Sequence, residues 1–337
     1  MTSSPVVLAV TAGDPCGIGP EVILKVCAQG LPARARFVFL GDHTVFERLA
    51  GRLRLPLPRW HRVSPDALQA LPDQRVVFVE AGRLARWVPG RPSAQAGQAA
   101  VASLDAALAL WRSGQIHGIV TGPVTKWAIR QLRPSFVGQT EYLARAAGSR
   151  DVAMAFVSDT LRVVLLTRHV PLGRVPRAID ATLVRTTVRL TAAALRRWFH
   201  VPHPRMAILG INPHAGEGVP RSEEARVIRP ALAALRRQGL ACDGPFAADG
   251  FFARASAYDA ILCAYHDQGL IPFKLVACDR GCQLSLGLPF VRTSPDHGSA
   301  LDIAGRGVAH PGSMRYALAL AATLASQKVS DTFFMRC

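Results

Sequence analysis

The sequence predicts a parallel α/β fold, because short apolar runs alternate with amphipathic helical stretches along the chain. The apolar runs consist of Val, Ile and Leu with little polar alternation, which is typical of strands that are buried on both faces. The length of 337 residues allows one large domain or two ordinary ones, and a hydrophobic content of 50% supplies a packed core.

The predicted strands are the apolar runs, in chain order Val6–Val10, Ala35–Leu40, Arg75–Val79, Gly118–Thr121, Val152–Val157, Arg162–Thr167, Met206–Ile211 and Ala260–Ala264. The predicted helices are the amphipathic stretches Pro20–Ala28, Ala96–Ser113, Thr140–Ala147, Ala181–His200, Ser222–Gln238 and Met314–Gln327. We expect the Pro- and Arg-rich stretch Leu53–Pro72 to be a surface excursion.

The composition excludes two classes of partner. The net charge is +17, but Arg is scattered along the whole chain without a run of five and no nucleic-acid-binding motif occurs, so we expect no nucleic-acid partner. The N-terminus lacks a basic region followed by a long apolar run, which argues against a signal peptide. The apolar stretch Tyr316–Ala325 is shorter than the roughly 20 residues that span a bilayer. The sequence therefore predicts a cytoplasmic protein without a membrane contact.

A glycine-rich loop, Thr11–Glu21, follows the first strand and opens the first helix. Gly17 and Gly19 allow close approach of the backbone, and a helix N-terminus favours an anion. The loop does not contain G-x-G-x-x-G, because residue 22 is Val. Two interpretations stay open: an anion-binding loop of non-Rossmann type, or an ordinary tight turn.

Three apolar strands are each followed by a histidine: His169, His214 and His266. Ligands of open α/β sheets bind beyond the carboxyl ends of the strands, so three such imidazoles can meet at one edge. Three protein ligands with an open position are typical of a catalytic metal site. Asp267 and Glu217 lie beside these histidines and either fix the imidazole tautomers or are solvated loop residues.

Lysine is rare in this chain, which has four Lys among its 40 basic residues. Lys126 and Lys274 both lie in turn-rich segments beside strand ends, where an ammonium suits phosphate binding or proton transfer. A later segment, Arg280–Ala300, is dense in Gly, Ser, Thr and Arg. Its Arg292 is suited to bind a carboxylate or phosphate with two hydrogen bonds.

These motifs together resemble the 4-hydroxythreonine-4-phosphate dehydrogenase family, from Val7 to about Ala325. The segments that carry the resemblance are GDPCGIGPE, VTGPVTK, GQTEYLA, the RHVPL turn, NPHAGEG, AYHDQGLIPFK and LGLPFVRTSPDHGSALDIAGRG. The resemblance implies two α/β/α domains with an interdomain cleft, similar to the isocitrate and isopropylmalate dehydrogenases. It places one domain at approximately residues 1–125 plus 280–337 and the other at 126–279.

The resemblance also implies a set of site residues. The metal ligands would be His169, His214 and His266, with the third histidine reaching the metal from the neighbouring subunit of a homodimer. The substrate contacts would be Gln139, Thr140, Lys274, Gln283 and Arg292. Three positions depart from the family pattern: Gln139 and Thr125 stand where His is usual, and Gln283 stands where Asn is usual.

The activity implied is the metal- and NAD(P)-dependent oxidation of 4-(phosphooxy)-L-threonine, in vitamin B6 biosynthesis. The product decarboxylates to 3-amino-2-oxopropyl phosphate. Either NAD or NADP, and Zn, Mg or Co, fits the sequence, and no cofactor-binding residue is identified. Lys126, Asp249 and Asp267 are the candidate proton acceptors. Two alternatives remain: a dehydrogenase of 4-phospho-D-threonate or 4-phospho-D-erythronate, and a metal-binding protein without enzymatic activity.

Overall fold

The computed structural model describes residues 5–33, 35–64 and 70–327. The chain divides into two compact units, of which unit 1 comprises Met1–Ser149 and Leu288–Cys337 and unit 2 comprises Arg150–Gly287. The sequence-based division placed its two boundaries near residues 125/126 and 279/280, and the two units divide at 149/150 and 287/288. Strands are numbered β1–β12 and helices α1–α10 in chain order.

Unit 1 contains a sheet in which all neighbouring strands are parallel, in the order β3-β4-β2-β1-β5-β12. Its strands are β1 Val6–Thr11, β2 Ala35–Gly41, β3 His61–Val63, β4 Val76–Glu80, β5 Gly118–Thr121 and β12 Val291–Pro295. The chain passes from β1 to β2 on one side, while β5 flanks β1 on the other. The carboxyl ends of β1 and β5 thus form a topological switch point, where open α/β sheets bind ligands.

The helices of unit 1 are α1 Gly19–Gln29, α2 His43–Leu53, α3 Ala94–Arg112, α4 Lys126–Arg130, α5 Gln139–Ala146 and α10 Gly312–Ser326. Helix α3 packs on β1 and β2, and α10 packs on β12 and β5. Every residue of β1 is buried, as the apolar sequence of this strand predicts.

The stretch Leu53–Pro72 is not wholly a surface excursion, so that expectation was wrong in part. It contains β3, and Trp60 is buried with its ring 4.7 Å from that of Phe78 and 5.7 Å from that of Phe39. Burial of a large aromatic ring explains how a Pro- and Arg-rich segment is fixed to the sheet. Residues 65–69 of this stretch lie outside the described part of the chain.

Unit 2 contains a mixed sheet in the order β11-β6-β7-β10-β8-β9. Its strands are β6 Ala153–Ser158, β7 Arg162–Leu165, β8 Met206–Leu209, β9 Cys242–Phe246, β10 Ala260–Cys263 and β11 Gly281–Leu286. Strand β6 is antiparallel to β7 and β11, whereas the pairs β7–β10, β10–β8 and β8–β9 are parallel. The predicted α/β fold class is confirmed, with the addition of these antiparallel pairs.

The α-helices of unit 2 are α6 Val175–Ala178, α7 Ala181–Phe199, α8 Arg229–Arg236 and α9 His266–Ala277. Short 3₁₀ segments occur at Leu172–Arg174 and Phe252–Ala257, and a π-helical turn spans Glu224–Ile228. Pro213–Gly218 is a tight turn whose residues from His214 to Glu217 have positive φ. Helix α9 covers the sheet through Leu270 and Phe273, which join a buried cluster with Phe156, Val163 and Ile261. No helix in the described residues is long and apolar enough to cross a membrane.

Candidate functional site

The three histidines of the sequence analysis follow three neighbouring strands of unit 2. His169 comes after β7, His214 after β8 and His266 after β10, and β10 lies between the other two. Because these strands are parallel, their carboxyl ends lie at one edge of the sheet. The strands are shorter than predicted, so His169 and His214 lie in the connections after them and His266 opens α9.

The imidazole rings of His169 and His266 are adjacent, with centroids 5.7 Å apart. The segments after β7 and β10 carry these two histidines. Thr167 joins the segments, because its Oγ1 donates to the carbonyl oxygen of Ala264 at 2.7 Å. The expectation that His266 completes the metal site of the neighbouring subunit stays a prediction. Within one chain, His266 lies beside His169.

A second link joins the strands that precede His214 and His266. Gln268 Nε2 donates to the carbonyl oxygen of Gly210 at 2.7 Å, and Gln268 Oε1 accepts from the backbone N–H of Ala264 at 2.6 Å. Gln268 and Thr167 together fix the spacing of the three strand ends. Sequence reasoning missed both residues, although Gln268 stands in the quoted AYHDQGLIPFK segment.

Two of the histidines pair with a carboxylate through one ring nitrogen. His214 Nδ1 lies 2.6 Å from Glu217 Oε1, and His266 Nδ1 lies 2.6 Å from Asp267 Oδ1. A carboxylate on Nδ1 fixes the tautomer and leaves Nε2 as the metal-binding nitrogen. The donor chemistry of these residues thus fits a divalent metal. In residues 5–33, 35–64 and 70–327, however, no three His, Cys, Asp or Glu side chains are grouped closely enough to form a metal site.

The backbone at the histidines is strained. His169 has φ 50° and His214 has φ 49°, and the left-handed conformation continues from His214 through Ala215, Gly216 and Glu217. Each non-glycine residue in that conformation costs roughly 1–2 kcal/mol. Strain of this kind is typical of functional sites, where the surrounding structure imposes it.

In unit 1, Arg292 of β12 is buried at 3% exposure. Its guanidinium donates to Thr121 Oγ1 at 2.7 Å and to Thr140 Oγ1 at 3.3 Å. Thr121 ends β5 and Thr140 lies in the first turn of α5, so the arginine joins the end of one strand to the start of a helix. A buried guanidinium in this position suits an anionic ligand.

Gln139 and Lys126 lie beside Thr140. Gln139 Nε2 donates to the carbonyl oxygen of Gly122 at 3.1 Å, while Gln139 Oε1 is buried without a hydrogen-bond partner. Lys126 opens α4, and a Cβ built on Gly138 would lie 3.7 Å from Lys126 Nζ. The structure thus brings Lys126, Gln139, Thr140 and Arg292 to the β5 end of unit 1.

The glycine-rich loop after β1 packs closely against protein. A Cβ on Gly17 would lie 2.8 Å from Ser299, and one on Gly19 would overlap the carbonyl oxygen of Ala12. These contacts account for both glycines without a ligand. Asp14 in this loop is buried; burial raises the pKa of its carboxyl group, and hydrogen bonds from Thr125 and Cys16 counteract the rise.

The remaining predicted site residues lie in unit 2. Lys274 is exposed on α9, and Gln283 is buried in β11 with its Nε2 3.1 Å from Ser285 Oγ. Asp249 is exposed in a turn after β9, and Asp267 is exposed beside His266. Among the candidate proton acceptors, Asp267 is paired with a predicted metal ligand, His266.

Comparison with known proteins gives one consistent family. Residues 33–321 match the family described as "Pyridoxal phosphate biosynthetic protein PdxA". A 4-hydroxythreonine-4-phosphate dehydrogenase of Erythrobacter litoralis (strain HTCC2594) is 40% identical over 95% of this chain and 97% of its own length. A solved structure of 4-hydroxythreonine-4-phosphate dehydrogenase from Klebsiella pneumoniae is 35% identical with a TM-score of 0.82, covering 95% of this chain and 99% of that one. A solved terephthalate 1,2-cis-dihydrodiol dehydrogenase from Burkholderia xenovorans LB400 is 31% identical with a TM-score of 0.62, covering 95% and 98%.

Proposed function

The chain belongs to the family of the pyridoxal phosphate biosynthetic protein PdxA, and on that premise we propose that it is a 4-hydroxythreonine-4-phosphate dehydrogenase. It oxidises the hydroxyl carbon of 4-(phosphooxy)-L-threonine to a ketone. The product, 2-amino-3-oxo-4-(phosphooxy)butanoate, is a 3-oxo acid and loses carbon dioxide to give 3-amino-2-oxopropyl phosphate. This reaction belongs to pyridoxine 5'-phosphate biosynthesis.

The observation that carries this proposal is the set of three histidines at neighbouring strand ends of unit 2. Two of them have Nδ1 paired with a carboxylate at 2.6 Å, an arrangement that favours metal binding through Nε2. His169, His214 and His266 are the proposed ligands. When bound, a divalent cation such as Zn, Mg or Co would polarise the substrate hydroxyl and stabilise negative charge on its oxygen, and NAD or NADP would accept the hydride.

The anionic groups of the substrate need cationic and hydrogen-bonding partners. We assign this role to Gln139, Thr140 and Arg292 of unit 1 and to Lys274 and Gln283 of unit 2. Burial of Arg292 strengthens its attraction for an anion, because the guanidinium is removed from water. The unpartnered Oε1 of Gln139 can accept a hydrogen bond from the substrate amine or a hydroxyl.

The proton acceptor for the substrate hydroxyl is proposed among Lys126, Asp249 and Asp267. Each is ionisable; Lys126 lies with Gln139 at the β5 end of unit 1, and Asp267 adjoins His266. Asp267 has a second task, because its carboxylate is hydrogen-bonded to His266 Nδ1. Substitution of Asp267 would therefore affect metal binding as well as proton transfer.

We further propose a cytoplasmic homodimer whose sites use residues of both subunits. The support is the family to which the chain belongs, because the resemblance implies a homodimer in which His266 reaches the metal from the neighbouring subunit. Two-fold symmetry then produces two equivalent sites.

A second candidate function follows from the residues that depart from the family pattern. Gln139 and Gln283 stand at proposed substrate contacts, and Gln139 Oε1 is unpartnered. A substrate without the amine, such as 4-phospho-D-threonate or 4-phospho-D-erythronate, would change what this oxygen contacts. A change of substrate also fits the 31% identity with a dihydrodiol dehydrogenase.

The test is the formation of NADH or NADPH, followed by absorbance, with each phosphorylated substrate in turn and with added Zn²⁺, Mg²⁺ or Co²⁺. We expect the highest kcat/KM with 4-(phosphooxy)-L-threonine. A higher value with either phosphorylated sugar acid would establish the second function instead. Absence of turnover with all three, in protein that binds metal, would favour a binding protein without enzymatic activity.

A further inference from the structure

The segment that carries His214 is attached to a carboxylate deep inside unit 2. Glu224 has 0% exposure, and its Oε1 accepts the backbone N–H groups of Ile211 at 2.8 Å and Asn212 at 2.9 Å. Its Oε2 accepts from Asn212 Nδ2 at 3.0 Å. One buried side chain thus satisfies three donors at the exit of β8, immediately before the left-handed turn of His214.

The same carboxylate limits the shape of the turn from within. A Cβ on Gly216 would lie 2.6 Å from Glu224 Oε2, and one on Gly210 would lie 3.1 Å from Glu224 Oε1. The turn therefore wraps around the carboxylate with no space between them. Because four consecutive residues from His214 to Glu217 have positive φ, this path needs strong external attachment to persist.

Glu224 reaches this position from an unusual helix. It begins the π-helical turn Glu224–Ile228, which runs directly into α8. A π-helical turn contains an extra residue relative to an α-helix and is often found at functional sites. This local expansion at the start of the helix places Glu224 under the His214 turn.

We infer that Glu224 is a positioning residue, which holds the His214 turn in the conformation that binds the metal; this rests on the proposed function, in which His214 is a ligand. Glu224 does not itself contact the metal-binding nitrogens, since its bonds go to Ile211 and Asn212. Burial opposes ionisation of Glu224, but the hydrogen bonds from Asn212 and Ile211 outweigh it and lower the pKa of the carboxyl group. A carboxylate that stays ionised accepts all three donors.

The test compares E224A, E224Q and the matched control E223A in the full-length protein. Glu223 is the neighbouring residue, and its Oε2 accepts from Asn212 Nδ2 at 2.8 Å. Two quantities are measured: Co²⁺ affinity, from the absorption of the bound ion in competition with a chelator, and amide hydrogen exchange of residues 210–217 in metal-free protein. The exchange measurement reports the turn itself, independently of metal and activity.

For E224A we expect Co²⁺ affinity to fall about 10- to 100-fold, the range for removal of a residue that orients a metal ligand. The amides of Ile211 and Asn212 should exchange faster, while exchange in α7 stays unchanged. E224Q retains an acceptor for the two backbone amides but adds a donor that faces Asn212. Its loss of Co²⁺ affinity should therefore be smaller than that of E224A. E223A should behave like wild type in both measurements.

Two results would overturn the inference. One is faster exchange in E224A with unchanged Co²⁺ affinity, which would make Glu224 structural only. The other is unchanged exchange together with unchanged affinity. If E224A does not fold, E224Q decides in the same way, and wild-type affinity in E224Q overturns the inference. H214A separates this failure from failure of the proposed function: unchanged Co²⁺ affinity in H214A would remove His214 from the metal site altogether.

Discussion

Gln268 and Gly210 are joined by a hydrogen bond in which the side-chain amide of Gln268 donates to the backbone carbonyl oxygen of Gly210 at 2.7 Å. Gly210 follows β8, and Gln268 lies in the first turn of α9, which follows β10. The side chain of Gln268 also accepts from the backbone N–H of Ala264 at 2.6 Å. An amide can make both bonds because it carries a donor and an acceptor. A carboxylate of the same shape cannot.

The first prediction is that Gln268→Glu destabilises unit 2. The carboxylate can accept from Ala264, but it leaves the carbonyl oxygen of Gly210 without its donor. An unsatisfied buried acceptor costs about 1–3 kcal/mol, and urea unfolding should show a loss of this size. Gln238→Glu is the control, because Gln238 is exposed and accepts from Arg189. Equal unfolding free energies for the two variants would contradict the role of Gln268.

The second prediction concerns which histidines act within one chain. Replacement of His169, His214 or His266 by Ala should abolish turnover and weaken metal binding without unfolding the protein. Pairs of inactive variants are then unfolded, mixed and refolded. Random pairing makes half of the dimers mixed. If the two substituted ligands come from different chains, one site in each mixed dimer contains no substitution. Activity then recovers to about a quarter of wild type.

Since the resemblance assigns His169 and His214 to one chain and His266 to the other, we expect the H169A and H214A mixture to stay inactive. Mixtures that contain H266A with either of the others should recover. Recovery of the H169A and H214A mixture would instead assign these two ligands to different chains. If no mixture recovers although tagged subunits demonstrably exchange, all three ligands come from one chain.

The third prediction concerns the buried arginine. Arg292→Lys keeps the charge, but one ammonium cannot replace the two guanidinium nitrogens that reach Thr121 and Thr140. Loss of one charge-assisted bond to the substrate costs about 1.5–3 kcal/mol, so KM should rise roughly 10- to 150-fold. We expect a similar rise for Lys274→Ala.

Steady-state kinetics with the phosphorylated substrate measure this effect. Arg189→Lys is the matched control, because Arg189 is exposed on α7. A parent enzyme that uses the unphosphorylated amino acid equally well would show that these residues do not bind phosphate.

The fourth prediction concerns pH. The folded state raises the pKa of Asp14, chiefly through burial, so its ionisation is less favourable in the folded chain than in the unfolded one. This penalty is present at neutral pH and disappears as the pH falls below the ordinary value of 3.8. Asp14→Asn removes the charge and keeps an acceptor for the Cys16 N–H. The variant should therefore gain stability over wild type near neutral pH and lose that advantage in acid.

Urea unfolding at several pH values between about 3 and 7 checks the sign of this effect. Asp159→Asn, at an exposed turn, is the control. An advantage of Asp14→Asn that grows in acid would mean that burial does not dominate at Asp14.

The sequence predicted the parts of this fold that local patterns encode. Strands of both units and the three strand-end histidines were identified, because buried parallel strands are continuous apolar runs. Helix α9 was not predicted, since Gly269 and Pro272 resemble turn residues in the sequence. Packing explains the glycine, because a Cβ there would lie 2.5 Å from the side chain of Val163.

Other features depend on contacts between distant segments. Strand β11 was interpreted as part of a ligand-binding segment, and its antiparallel pairing with β6 involves residues far away in the chain. The stretch Ser222–Gln238 was predicted as one helix, whereas it begins with a π-helical turn. The reason is visible only in three dimensions: Glu224 must reach Ile211 and Asn212.

The place of β12 in unit 1 has a consequence for synthesis of the chain. Strand β12 pairs with β5 through Val291–Gly118, Arg292–Ile119 and Thr293–Val120. All of unit 2 lies between these two strands in the sequence. At roughly 5–20 residues per second, a ribosome needs about 10–30 s to add the intervening segment. Unit 2 is thus translated in full while β5 still has an open edge. A nascent chain arrested near Gly287 would contain every strand of unit 2, whereas unit 1 would lack both β12 and α10.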